Sequence, residues 1–402
     1  MRILLINKFL HPNGGAEAYL FALGENLQRQ GHQVQYFGME HPERIVGNRV
    51  NAYASTMDFH SRFSWKKLTY PFKTIYSPEA RRKLRQVLAD FQPEICHLNN
   101  FNYQLTPSIV LEIQNWKRKT GADCKIFYTA HDYQLVCPNH MCYNPNTQTN
   151  CEACFGGQYR QCLKGKCIHG SSLRSALGGM EAFFWKRYGV YKHLDGIFCC
   201  SKFVKSKLDT DPVLAGKTQV LENFVSVERK LSCTSGKYVL YFGRFSQEKG
   251  ILTLVEACKQ LPEIPFVFAG AGPMEGTLEG VSNIVNKGFC RGSALDALLE
   301  GAKFVICPSM WNEPFGLTVA EAMAKGIPVI ATDTGGISEQ IQPGVTGELV
   351  PAGDVDALAE KIRRWWEEPA RVEKMAANCR KRPVRTVDIY CRELLRQYRE
   401  RG

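Results

Sequence analysis

The sequence predicts two doubly wound α/β domains in tandem. Three observations carry that reading. The chain has 402 residues, with 44% hydrophobic and 22% charged content. That is ordinary globular composition, at a length beyond two average domains of ~150 residues. Short apolar runs alternate with helix-period stretches from end to end, the pattern of parallel sheets covered by helices. The alternation restarts after about residue 236.

The elements follow in order. Residues 3–6 (Ile-Leu-Leu-Ile) read as a strand, then a glycine-rich loop, a helix over 16–30 and a second strand over 34–37, ended by Gly38. Further strands are expected at 95–98, 126–129, 197–200 and 218–221. After the restart they fall at 238–242, 266–269, 284–286, 304–307, 329–331 and 347–350. The polar, serine-rich stretch 226–236 reads as the linker, and an amphipathic helix over 386–399 closes the chain. The expected division is 1–228, 236–383 and a closing segment 384–402. Ligands of such sheets bind beyond the carboxyl ends of the strands, which puts the expected site in a cleft between the two domains.

Charge is uneven. Residues 1–200 carry 24 Lys and Arg against 14 Asp and Glu, while residues 201–402 carry 27 against 25. The excess concentrates in Lys66-Lys67, Arg81-Arg82-Lys83 with Arg85, and Lys117-Arg118-Lys119. Two readings stand: solvated helix faces, or a surface for phospholipid or a phosphorylated substrate. Nucleic acid is not expected, since no aromatic-interleaved basic stripe is present. No apolar run approaches the ~18 residues of a membrane span, and the four apolar residues before Asn7 are too few for a secretory signal. The expected location is cytoplasmic, peripheral on the inner face of the membrane.

Three motifs carry chemistry. Asn13-Gly14-Gly15-Ala16-Glu17 follows the first strand and opens a helix, where backbone N–H groups meet an anion. Gly243-Arg244-Phe245-Ser246-Gln247-Glu248-Lys249-Gly250 ends the first strand of the second domain, with Arg244 and Lys249 on one loop to clamp an anion. In Glu313-Pro-Phe-Gly-Leu-Thr-Val-Ala-Glu321 the first carboxylate stays on the loop and the second enters the helix, which suits acceptors for polyol hydroxyls. The backbone of Phe315, Gly316 and Leu317 points toward an anion at that helix start.

These motifs, with Gly270-Ala-Gly-Pro273 and Gly326-Ile-Pro-Val-Ile-Ala-Thr-Asp-Thr-Gly-Gly336 followed by Glu339, resemble the retaining glycosyltransferases of family 4 over nearly the whole chain. The resemblance implies a GT-B fold, a UDP- or GDP-sugar donor, retention at the anomeric carbon and no obligatory catalytic metal. It implies a glycan or polyprenyl-linked acceptor in surface polysaccharide synthesis. Arg244 and Lys249 would neutralise the diphosphate, with Gly15 and the backbone of Phe315, Gly316 and Leu317 completing its site. Glu313 would contact sugar hydroxyls and Glu321 the ribose. His131, in Thr129-Ala-His-Asp-Tyr133, would contact the donor sugar, and the leaving phosphate would take the acceptor's proton. Asn99 and Asn100 are expected on the acceptor side.

Sixteen cysteines include six between 137 and 167: Cys137, Cys142, Cys151, Cys154, Cys162 and Cys167. A structural four-thiolate zinc on Cys151, Cys154, Cys162 and Cys167, with Cys137 as substitute, is the first reading. An iron–sulfur cluster, disulfides and free thiols are the alternatives. At the level of function, the alternatives are a metal- or redox-binding protein using these cysteines, or a nucleotide-sugar epimerase on the same fold.

Overall fold

The computed structural model describes residues 1–56, 70–225 and 236–400. Most of the expected linker, and Lys66 and Lys67, lie outside the described residues. The chain forms two units: Met1–Cys142, Cys151–Glu222 and Val387–Gly402 make the first, Tyr143–Asn150 and Asn223–Thr386 the second. The closing segment, read in the sequence as a separate piece, therefore belongs with the first unit.

The first unit runs β1 (Arg2–Ile6), α1 (Gly15–Arg29), β2 (Gln33–Phe37), α2 (Tyr70–Ile75), α3 (Pro78–Phe91), β3 (Ile95–Leu98), α4 (Ser108–Thr120) and β4 (Lys125–Ala130). The hairpin β5 (Tyr143–Asn144) and β6 (Thr149–Asn150) intervenes, and it belongs to the second unit. Then come α5 (Arg160–Lys164), α6 (Ser172–Tyr188), β7 (Gly196–Cys199), α7 (Lys202–Leu208) and β8 (Thr218–Val220). The six-stranded parallel sheet has the order β2-β1-β3-β4-β7-β8.

The second unit runs β9 (Tyr238–Phe242), α8 (Ile251–Lys259), β10 (Phe266–Ala269), β11 (Ile284–Asn286), α9 (Ser293–Gly301), β12 (Ala302–Cys307), α10 (Leu317–Ala324), β13 (Val329–Thr332), β14 (Gly347–Val350), α11 (Val355–Glu367) and α12 (Pro369–Lys381). Its parallel sheet has the order β11-β10-β9-β12-β13-β14. Val239 and Tyr241 of β9 enter one core cluster, Leu240 and Phe242 the other. Both faces are therefore buried, which is why these strands read as unbroken apolar runs rather than alternating ones.

The last helix, α13 (Val387–Glu400), returns to the first unit. Tyr390 and Tyr19 share a hydroxyl–hydroxyl bond of 2.7 Å, and Tyr398 bonds Nδ1 of the buried His97. All twelve strands expected from the sequence are present, with ends within two residues of the expected ones. The hairpin β5–β6 was not expected. Its strands are two residues each, too short for a periodic signal.

In each sheet the strand order reverses once, between β1 and β3 in the first unit and between β9 and β12 in the second. The connections leaving such a pair diverge to opposite faces and open a crevice at the strands' carboxyl ends. The motifs singled out above follow β1, β9 and β12, so they sit at these two switch points.

Candidate functional site

In the second unit, the loop after β9 carries Arg244 and Lys249, and the loop after β12 carries Glu313. Gly250 stands between the one-turn helix Gln247–Lys249 and α8 with φ of 71°, and a Cβ there would lie 1.8 Å from the carbonyl oxygen of Pro308. Only glycine lets the two loops approach this closely. Lys249 Nζ lies 2.5 Å from Glu313 Oε1, which also accepts from Ser309 Oγ at 2.8 Å. The backbone N–H of Met310 donates to the carbonyl of Glu248 at 2.8 Å, tying the loops a second time. Gly336 N–H donates to the carbonyl of Glu313 at 2.7 Å and supports it from β13's end.

Glu313 is 6% exposed. Burial by itself would lower the Lys249 amine, but the charge and hydrogen bond of Glu313 outweigh it and hold the amine above its ordinary value. Lys249 is therefore a fixed cation, and its Nζ also lies 5.6 Å from the Trp311 ring centroid. Arg244 is exposed and forms no ion pair among the described residues. The structure thus brings Lys249 and Glu313 together and leaves Arg244 exposed on the same loop.

Gly316 begins α10 with φ of 86°, and the side-chain amide of Gln340 donates to the carbonyls of Phe315 and Gly316. That anchoring turns the peptide groups of 315–317 so that the first N–H groups of α10 remain outside its hydrogen-bond ladder, as at any helix start. Glu321 lies one turn further on. Burial, and then the nearby Asp296 carboxylate, push its carboxyl up to about 7.

In the first unit, Gly15 is exposed at the first turn of α1, capped by Gly14 with no side-chain bond. Glu17 of the same motif turns inward and accepts from Asn7 Nδ2 at 3.0 Å, so it anchors the loop. His131 stands past β4 with its Nε2 at 2.9 Å from Asn99 Oδ1. Asn99 Nδ2 donates to the carbonyl of Ile6, so Oδ1 is the acceptor and Nε2 carries the proton. Burial lowers the His131 pKa to about 4. The imidazole is neutral at pH 7, with Nδ1 as a lone-pair acceptor. Tyr19 of α1 packs edge-on against it at 4.6 Å.

One expectation is corrected. Asn99 is fully buried and orients His131, so it offers nothing to an acceptor. Asn100 keeps a buried Oδ1 without a partner, while its N–H donates to Asn7 Oδ1. Of the basic clusters, Arg81 and Arg85 clamp the buried carboxylate of Glu112 at 2.8 and 2.6 Å. They neutralise an internal charge, while Arg82, Arg118 and Lys119 of the same clusters stand exposed.

The cysteines were expected as one four-thiolate group. Among the described residues no three His, Cys, Asp or Glu side chains are arranged to hold a metal ion. Cys137 neighbours Cys142 and Cys162 neighbours Cys167, all four are free thiols, and Cys137 Sγ donates to Asn139 Oδ1 at 2.9 Å. Cys154 and Tyr159 pack with Cys162 and Cys167 in a small apolar cluster, while Cys151 is half-buried outside it. A tetrahedral site needs four sulfurs around one point.

Sequence reasoning missed Ser309 and Asn150. Asn150, at the end of β6, donates from Nδ2 to the carbonyl of Met310 at 3.2 Å and accepts from Asn312 N–H at 2.8 Å. It brackets the loop that leads into Glu313. No local pattern marks such a contact, because its partners are 160 and 162 residues away. Asn150→Ala is expected to lower turnover about tenfold by freeing that loop, from two bonds worth ~0.5–1.5 kcal/mol each. Steady-state kinetics with a verified substrate would check it; Thr147→Ala, on the exposed turn of the same hairpin, should change nothing.

A family model described as "Glycosyltransferase Family 4" matches residues 13–229, and one described as "Glycosyl transferases group 1" matches residues 227–382. A glycosyltransferase of Methanocaldococcus jannaschii is 34% identical over 400 residues, covering 90% of this chain and 88% of its own. A 42.6 kDa protein in the cps region of Klebsiella pneumoniae is 23% identical over 380 residues, covering 89% and 92%. Among solved structures, Anabaena HepE in complex with UDP-glucose superposes with a TM-score of 0.67 at 17% identity, over the full length of both chains.

Proposed function

The chain belongs to glycosyltransferase family 4 and is a transferase of GT-B fold; on that premise we propose that it moves a sugar from a UDP-sugar to a lipid-linked glycan acceptor in surface polysaccharide synthesis, with retention at the anomeric carbon. The observation that carries this reading is the Lys249–Glu313 pair at the β9/β12 switch point, with Arg244 on the same loop and the α10 start beside it. A UDP-glucose complex of a protein of the same fold and the cps-region relative support the donor and the pathway class.

In this mechanism Arg244 and Lys249 hold the donor diphosphate and stabilise the charge that builds as the C1–O bond breaks. Glu313 aims Lys249 and presents its second oxygen to sugar hydroxyls. Glu321, as the carboxylate, accepts from the ribose hydroxyls. The N–H groups at the start of α10 and of α1 at Gly15 face phosphate oxygens. Neutral His131 accepts a sugar hydroxyl at Nδ1 without drawing a proton from the acceptor. The departing phosphate oxygen takes that proton as the acceptor oxygen forms the new bond on the same face of the sugar.

Thermal-shift measurements against UDP- and GDP-sugars test the donor. A ligand at 100 times its Kd stabilises by ~2.7 kcal/mol, and no shift with any nucleotide sugar would overturn the reading. The structural zinc rests on the thiol content of 137–167 alone. About one zinc per chain, lost in Cys154→Ser, supports it, and folded metal-free protein refutes it.

A further inference from the structure

The outward face of α6 carries large apolar side chains along its length. Leu173 is 80% exposed, Met180 55%, Phe183 61% and Tyr188 54%, with Phe184 between them. Positions 173, 177, 180, 184 and 188 recur at three- and four-residue spacing, so they form one stripe along the helix, and Phe183 and the exposed Arg187 lie on the same face. Such a contiguous exposed stripe marks an interaction surface rather than scattered surface leucines.

The opposite face of α6 is locked. Gly178 lies so close to Ile168 that a Cβ would stand 2.4 Å from its Cδ1, and Gly179 faces the carbonyl of Tyr159. Ser175 Oγ accepts from Ile168 N–H at 3.0 Å, and buried Trp185 donates from Nε1 to the carbonyl of Ile75 at 2.9 Å. Tyr159 and Ile168 pack with Cys154, Cys162 and Cys167. The cysteine segment is therefore the platform that fixes which way α6 faces, and the helix cannot roll its stripe inward.

Charge says what covers the stripe. Glu181, the helix's one acid, is buried. Arg174 and Arg187 are exposed on the helix, and Arg160, Lys164, Lys166 and Lys192 are exposed on the segments flanking it. No acid other than Glu181 occurs between residues 153 and 194. A second copy would set like charges against like. An apolar, aromatic-rich helix face bordered by cations fits the plane between acyl chains and anionic headgroups. No helix among the described residues is long and apolar enough to cross a membrane, so contact of this kind lies on the surface.

We infer that α6 is an interfacial docking helix that seats the first unit on an anionic phospholipid bilayer through Leu173, Met180, Phe183, Phe184 and Tyr188, with Arg174 and Arg187 at the headgroups. This rests on the proposed reading in one respect: a lipid-linked acceptor gives the surface its use. The exposed cations of the basic clusters at 81–85 and 117–119 are a separate candidate for the same anionic contact.

The test is co-sedimentation of the whole chain with phosphatidylcholine vesicles, with and without phosphatidylglycerol. Binding should require the anionic lipid and weaken between 0.1 M and 1 M salt, as the Debye length falls from ~10 Å to ~3 Å. Met180→Ser with Phe183→Ser should lower the partition coefficient at least about tenfold, while far-UV circular dichroism and the thermal shift with a nucleotide sugar stay unchanged. Leu173→Ser alone, further from the core, should give a smaller loss of the same sign. Arg174→Glu with Arg187→Glu should abolish the preference for phosphatidylglycerol. The inference fails if wild-type protein ignores the vesicles, or if the serine variants bind as before. It fails equally if those variants only dissolve a dimer seen by light scattering, which would assign the stripe to a second copy. A nucleotide-sugar shift without vesicle binding would sink this inference and spare the proposed function; vesicle binding through α6 without any nucleotide-sugar shift would do the reverse.

Discussion

Lys249→Ala is expected to lower kcat/KM about a hundredfold. The lost charge-assisted contact to phosphate is worth ~1.5–3 kcal/mol, or ten- to more than a hundredfold. A second loss adds to it. Glu313 is buried, and without the amine its Oε1 keeps only the Ser309 hydroxyl. An unpaired buried carboxylate draws in water or turns away, and the sugar loses its aimed acceptor. Two controls separate catalysis from folding. Glu313→Gln keeps the shape and should depress kcat with little change in melting temperature. The double change Lys249→Met with Glu313→Gln removes both charges and should restore stability but not turnover. If the double variant were active, the pair would be a structural ion pair and the phosphate site would lie elsewhere.

Donor affinity is expected to rise with pH across neutrality. Burial and the Asp296 carboxylate push the Glu321 carboxyl up to about 7, so the free protein holds a proton there at pH 6. Ribose hydroxyls donate hydrogen bonds and favour the ionised form. Binding must then expel the proton, and the apparent Kd should fall about tenfold from pH 6 to pH 8. Calorimetry in buffers of different ionisation enthalpy would register the released proton. Glu321→Gln should bind the donor more weakly at pH 8 and lose the pH dependence. The same substitution bears on stability with a definite sign. A carboxyl raised in the folded state contributes stability below its ordinary value near 4.5, and that contribution is lost as pH rises through about 7. Glu321→Gln should therefore raise the melting temperature at pH 8 and change it little at pH 4. A donor Kd that stays flat from pH 6 to pH 8 would remove Glu321 from the ribose site.

His131 illustrates how far a single side chain can be read from its neighbours in sequence. Its place past β4, facing the carboxyl end of the sheet, is a consequence of the strand pattern at 126–129. Its protonation is not. Only the enclosure of the ring lowers the pKa to about 4, and only the bond of Asn99 to the Ile6 carbonyl assigns the proton to Nε2. Asn99 itself was expected at the acceptor and is instead buried beneath the histidine.

The sequence by itself determined the two parallel sheets, the order of their strands along the chain, the loops that bear Arg244, Lys249 and Glu313, and the helix that bears Glu321. These follow from local signals: apolar runs of four to six residues, glycines where the backbone must turn or approach, and helix starts near acidic or glycine-rich loops. Tertiary structure alone decided that Lys249 and Glu313 form one pair, that Asn150 reaches a loop 160 residues away, and that α13 packs back on α1. It also decided that Arg81 and Arg85 pair with the buried Glu112 and that the apolar face of α6 stands exposed. The division has one physical cause. Secondary structure answers to periodicity within a dozen residues, whereas a charge's partner and a side chain's exposure depend on which distant surface the folded chain lays against it.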